Sequence, residues 1–172
     1  RIYLQKIVEE LRRVACPIHF CLGNHCVDGL TKDEFLEVSQ QPATTFDANH
    51  EGIRLIGIDT CFNADGSPYG RHNSDWRVAR LPDVELSQLD RSLSEYRVPT
   101  LLFSHHRLDV DGDFSLQNAE QVRQVIKRHP HVLAVFQGHA HRYDLCVISS
   151  QNYVTLAPMV WPSASQNAYS IL

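Results

Sequence analysis

Three apolar runs in this chain finish in the same way. "IHFCL" (18–22) leads into Gly23-Asn24-His25, "TLLF" (100–103) into Ser104-His105-His106, and "VLAVF" (132–136) into "QGHAH", which ends at His141. Strands buried in a parallel sheet read as continuous apolar runs of this kind, and open α/β sheets bind ligands just beyond the carboxyl ends of their strands. Three such ends in one sheet bring Asn24, His25, His105, His106, His139 and His141 to a common edge. On an extended backbone, residues two apart point to the same side, so His139 and His141 are expected to offer their rings to one volume. Gly23 and Gly138 directly precede candidate ligands, where a sharp turn or a close backbone approach excludes a Cβ.

The rest of the chain alternates strand and helix. Leu4, Ile7, Val8, Leu11 and Val14 form the apolar stripe of an opening helix that Pro17 ends. A second helix is expected around "KDEFLEVSQ", a strand at "IRLIGIDT", and a helix at "ELSQLDRSLSEY" with Leu86, Leu89 and Leu93 on one face. Another helix carries Ala119, Val122 and Ile126 and stops before Pro130. "LCVIS" and "YVTLA" read as a closing hairpin. Residues 62–80, rich in Gly, Asn, Asp, Ser and Arg, form a long loop of the length that is usually functional or disordered. The pattern predicts an α/β fold with a more antiparallel C-terminal end, and 172 residues make a single domain, 1–172, the default.

Composition narrows the partners. A net charge of −4 argues against a nucleic-acid polymer or a membrane surface as partner. No apolar stretch reaches transmembrane length. Five cysteines, an odd number without dense spacing, suit reduced thiols in a cytoplasmic protein better than a disulfide framework. Cys16, Cys21 and Cys26 lack zinc-finger spacing. Cys61 and Cys146 read as core thiols, and His129 and His131, flanking Pro130, as surface residues.

GNH, a strand-borne HH and a terminal GHxH, in that order, resemble the calcineurin-like metallophosphoesterases, and the surrounding elements look like the phosphodiesterase branch. The resemblance covers nearly the whole chain. It implies a β-sandwich flanked by helices and hydrolysis of a small-molecule phosphoester with two divalent metal ions. By the same resemblance Asn24, His105 and His139 ligate one ion and His141 the other, while His25 contacts the phosphate and protonates the leaving oxygen. His106 is either a supporting neighbour of the ligands or simply packed, since Arg107 stands where the family often has proline. Amide oxygen with imidazole nitrogens suits Mn, Fe, Zn or Co better than Ca or Mg.

Two departures qualify the resemblance. The family's Asp-x-His and Gly-Asp motifs, which supply further ligands and the carboxylate bridging both ions, have no counterpart before Gly23. The chain is therefore read as the C-terminal portion of such a domain, lacking its first strands and holding at most one ion. Cys26 stands where an acidic residue usually follows GNH to orient the histidine. Asp28 is the nearby substitute, and an acid in place of Cys26 is expected to raise turnover. Arg71 and His72 in the long loop, and Arg107 through its fork of donors, are candidates to reach the substrate phosphate. Trp76 and Trp161 are packed or stack on a nucleobase. The alternatives to a phosphodiesterase are a phosphomonoesterase or phosphoprotein phosphatase on the same scaffold, and a non-catalytic relative serving as an interaction module.

Overall fold

Parallel pairing in the middle of the sheet follows from the apolar runs identified above. The structure, a computed structural model, describes residues 2–72 and 75–159; Trp161 lies outside them. In chain order the elements are α1 (Ile2–Leu11), α2 (Asn24–Val27), α3 (Lys32–Ser39), β1 (Phe46–His50), β2 (Ile53–Gly57), α4 (Asp83–Glu95), β3 (Thr100–Phe103), α5 (Ala119–Lys127), β4 (Val132–Gln137), β5 (Asp144–Ile148) and β6 (Gln151–Thr155). The six strands form one sheet in the order β1-β2-β3-β4-β6-β5. The β2–β3, β3–β4 and β4–β6 pairs are parallel, and antiparallel hairpins close both edges. The mixed α/β class with flanking helices is the one expected; the described strands lie in one six-stranded sheet, where the resemblance implies a sandwich.

Both hairpins turn on two residues in the left-handed region: Glu51-Gly52 at φ 50° and 85°, and Ser149-Ser150 at φ 52° and 69°. Turns with two positive φ values match the twist of the strands they join. The second hairpin is the predicted one, with its turn beginning one residue before "SQN". The first was not read from the sequence, because "FDANH" is mostly polar and its strand lies at the sheet edge.

Helices α4 and α5 place Leu89, Leu93, Val122 and Ile126 in one buried cluster with Ile56, Leu102 and Val135. In the next register row, Phe46, Gly57, Phe103 and Phe136 lie opposite one another across four strands. The Phe46 and Phe103 rings are 5.9 Å apart, and those of Phe103 and Phe136 5.3 Å. A Cβ on Gly57 would lie 2.1 Å from the Phe46 ring, so glycine is what lets that ring cross β2. Helix α3 opens with a capping box, in which Thr31 Oγ1 accepts from Glu34 N and Glu34 Oε2 accepts from Thr31 N.

Three expectations change. "IHFCL" joins no strand ladder, because the Phe20 N–H and C=O are satisfied by the amide of the Gln41 side chain, at 2.8 and 3.1 Å. The stripe of α1 is only partly covered: Val8 is buried, whereas Ile7 is exposed and Val14 lies exposed beyond the helix end. His129 is buried rather than on the surface, with Nε2 2.7 Å from Asp90 Oδ1 on α4, and the His131 Nε2 atom is buried as well. Among the described residues, no helix is long and apolar enough to cross a membrane.

Candidate metal centre

Because β2, β3 and β4 run parallel, the loops that follow them leave from one edge. The loop after β2 carries Thr60, that after β3 carries His105 and His106, and that after β4 carries His139 and His141. A backbone hydrogen bond from Gly138 N to His105 O (3.0 Å) ties the second loop to the third. Asn24, at the start of α2, reaches the same edge from 81 positions away. Its Oδ1 lies 2.7 Å from His105 Nε2, which in turn is 3.1 Å from His139 Nδ1. Three donor atoms from three separate segments thus converge.

Gly23 makes the approach possible. A Cβ there would stand 2.7 Å from His105 Nδ1 and 2.8 Å from Cε1, inside contact distance, so the imidazole packs directly on the glycine backbone. The corresponding expectation for Gly138 does not hold. Its Cβ would meet His105 O at 3.7 Å, an ordinary contact, and its φ is not positive.

The extended geometry expected for "HAH" is also corrected. His139 and His141 both sit in the left-handed region, at φ 66° and 51°. Non-glycine residues held there are strained and cluster at functional sites. The His139 ring is turned into the cluster, while His141 stands at the exposed rim, its ring centroid 6.2 Å from that of His25. His106, left open by the sequence, lies within the cluster: one nitrogen from each of His105, His106 and His139 falls within 4.8 Å of the other two. It is completely buried, and its Nδ1 pairs with Thr60 Oγ1 at 2.8 Å. Thr60 was not identified from the sequence, where an isolated threonine after a strand carries no signal.

Burial decides the charge of this group. It pulls the His105 pKa down to about 3, and the neighbouring His139, His25 and His141 add to the effect. It lowers His139 to about 4 and His106 well below the ordinary 6.5. All three rings are therefore neutral at pH 7, the state in which imidazole ligates metal. Among the described residues, the Nε2 atom of His106 is buried without a hydrogen-bond partner, an arrangement costly for a group that nothing ever contacts. Close neutral nitrogens and one amide oxygen fit a divalent cation. Among the described residues, no carboxylate joins the three imidazoles.

His25 is exposed at the rim, and its Nδ1 is 2.9 Å from Asp28 Oδ2. The carboxylate expected to orient His25 is therefore Asp28. Cys26 instead packs against the hydrophobic core, and burial raises its thiol pKa. The reading of Cys26 as an orienting position is corrected accordingly.

Arg107 is not available to a substrate. Its side chain is buried, its Nε and one terminal nitrogen donate to Asp109, and that nitrogen also donates to Asp144 at 2.8 Å. Gln137, at the end of β4, completes the network. Its Oε1 accepts from Leu108 N, and its Nε2 donates to Asp109 and Thr155. The two loops bearing the histidines are thus clamped together beneath the cluster. Arg71 is paired with Glu34, and His72 is exposed with φ 62°. Beside the cluster, Trp76 and Phe114 present rings 5.6 and 5.8 Å from that of His139.

No family model matches the chain, and no curated protein sequence matches it. Its fold is similar to that of a solved structure, a dimetal phosphatase from Danio rerio, with a TM-score of 0.76 at 18% identity. The match covers 90% of this chain and 65% of that one.

Proposed function

We propose that this protein takes part in metal-dependent hydrolysis of phosphoester bonds, as a phosphodiesterase acting on a nucleotide or a related small phosphodiester. The observation that carries this reading is the convergence of Asn24 Oδ1, His105 Nε2 and His139 Nδ1, drawn from distant segments and neutral at pH 7. Their likeness in fold to a dimetal phosphatase supports it. Asn24, His105 and His139 would hold the ion, with His106 beside them. A divalent ion bound there supplies Lewis-acid polarisation of a phosphoryl oxygen and a water acidified toward a pKa of about 7. With no carboxylate in the cluster, one ion is the expected load for the donors present.

The chain's own contribution to proton movement is His25. When the ring carries both protons, Nδ1–H donates to Asp28 and Nε2–H can pass its proton to the departing ester oxygen, leaving a neutral imidazole. His141, facing His25 across the rim, is positioned beside the same volume.

The test compares bis-p-nitrophenyl phosphate with p-nitrophenyl phosphate, with and without added Mn²⁺, alongside elemental analysis. Faster metal-dependent release from the diester is expected. Preference for the monoester would move the reading to a phosphomonoesterase, and silence on both without bound metal would favour an interaction module.

A further inference from the structure

Next to the histidine cluster is a cavity of about 390 Å³ whose lining combines Asn24, His25, His139 and His141 with two aromatic side chains, Trp76 and Phe114, both packed beside the His139 ring. The Trp76 and Phe114 ring centroids are 5.7 Å apart with planes 33° from parallel, so the two rings form one continuous wall. Phe114 is 44% exposed, so part of its ring is open to a ligand. The Arg77 guanidinium lies 4.7 Å over the Trp76 ring.

The wall is held by its loops. Gln117 N donates to Ala79 O at 2.8 Å, and the Asn118 side chain accepts from Leu81 N and donates to Leu81 O. These bonds join the segment after Trp76 to the segment after Phe114. The Tyr69 hydroxyl donates to Asp75 O, one residue before Trp76. The rings are therefore presented by anchored backbone.

We infer that Trp76 and Phe114 form a nucleobase-stacking subsite, which makes a nucleoside phosphate ester the ligand class of this cleft. The volume lies within the range of small-molecule pockets. A phosphate at the histidines leaves the rest of the ligand to run along the wall, and flat aromatic faces reward a planar base by stacking. An alkyl ester would gain no comparable contact. The inference rests on the phosphoester reading only for the place of the phosphate.

The experiment uses the full chain carrying Trp161→Phe, which leaves Trp76 as its single tryptophan. Adenosine 5′-monophosphate and ribose 5-phosphate are titrated in the presence of Zn²⁺, with Trp76 fluorescence and calorimetry as readouts. The adenosine ligand is expected to quench Trp76 and to bind about tenfold more tightly than the sugar phosphate, within the range typical of base–aromatic stacking. Phe114→Ala should bring the two Kd values together. Trp76→Ala, followed by calorimetry, should do the same, and Trp76→Phe should preserve most of the difference. Equal Kd values in the unsubstituted wall, or a difference that survives both alanine variants, overturns the subsite. Base-dependent binding without turnover of bis-p-nitrophenyl phosphate would keep the subsite and remove the hydrolase. Turnover without base preference would do the reverse.

Discussion

His25 Nδ1 and Asp28 Oδ2 stand 2.9 Å apart at the exposed rim of the cleft, three positions apart in sequence. The pair holds the ring beside the cavity that His25 lines, and it gives this chain an orienting carboxylate two positions beyond the one where the resemblance places an acid. His25→Gln is expected to lower kcat by about 10²–10⁴ on a diester with a poor leaving group. The loss should be smaller on p-nitrophenyl esters, whose leaving group needs less protonation. Asp28→Asn should cost about tenfold and have no further effect once His25 is gone, a double-mutant comparison readable from kcat.

Cys26→Asp should not raise turnover. The thiol packs against the core, and Asp28 is close enough to disfavour a second negative charge. The substitution is expected to destabilise the fold by about 1–3 kcal/mol, measurable as a lower midpoint in urea unfolding. A rise in kcat at unchanged stability would contradict this assignment.

Gly23→Ala tests the packing of the cluster directly. A methyl group 2.7 Å from His105 Nδ1 forces the ring away from Asn24 and His139. Calorimetric titration with Zn²⁺ should show affinity weakened at least tenfold, with the far-ultraviolet circular dichroism unchanged. Gly138→Ala, whose Cβ meets only an ordinary contact, should bind the ion normally.

Acid should destabilise the metal-free protein in a defined window. Above pH 6.5 the cluster rings are neutral in both folded and unfolded chains. Below it the unfolded chain takes up protons that the folded chain refuses until about pH 4 at His139 and about 3 at His105. The folded pKa values are depressed, so stability is fully present above 6.5 and falls as pH drops through this window. Each ring contributes a slope of up to about 1.4 kcal/mol per pH unit. His139→Gln should flatten the profile measured by chemical denaturation between pH 6.5 and 4.

Arg107→Ala leaves Asp109 buried without its partner and should cost about 3–5 kcal/mol. Arg107→Lys should recover only part of this, because one ammonium cannot reproduce the forked contact with Asp109 while reaching Asp144. Equilibrium unfolding of the two variants measures both effects.

The sheet's middle was legible because buried parallel strands leave continuous apolar runs, and those runs delivered His105 and His139 to one edge as expected. β1 was not legible: Phe46 is its one large apolar residue, too little for a strand signal, and only the turn at Glu51-Gly52 marks the hairpin. "IHFCL" misled in the opposite direction, since an apolar run says nothing of whether a neighbouring strand exists to pair with it. Arg107 shows the limit most clearly. Sequence displays a guanidinium beside two candidate ligands, but the carboxylate that claims it from Asp144 lies 37 positions further on. Asp28 was named for its nearness to His25 in sequence, and the turn of α2, which the sequence did not announce, is what brings the two side chains together.

Asn24 and His105 are separated by 81 positions, and His105 and His139 by 34. No short stretch of the polypeptide can gather these atoms, so an ion they share belongs to the assembled sheet and not to the random chain. Its occupancy adds RT ln(1 + [ion]/Kd) to the unfolding free energy. Scarcity of that ion would then shorten the lifetime of the molecule as well as silence its chemistry, and its half-life would follow metal supply.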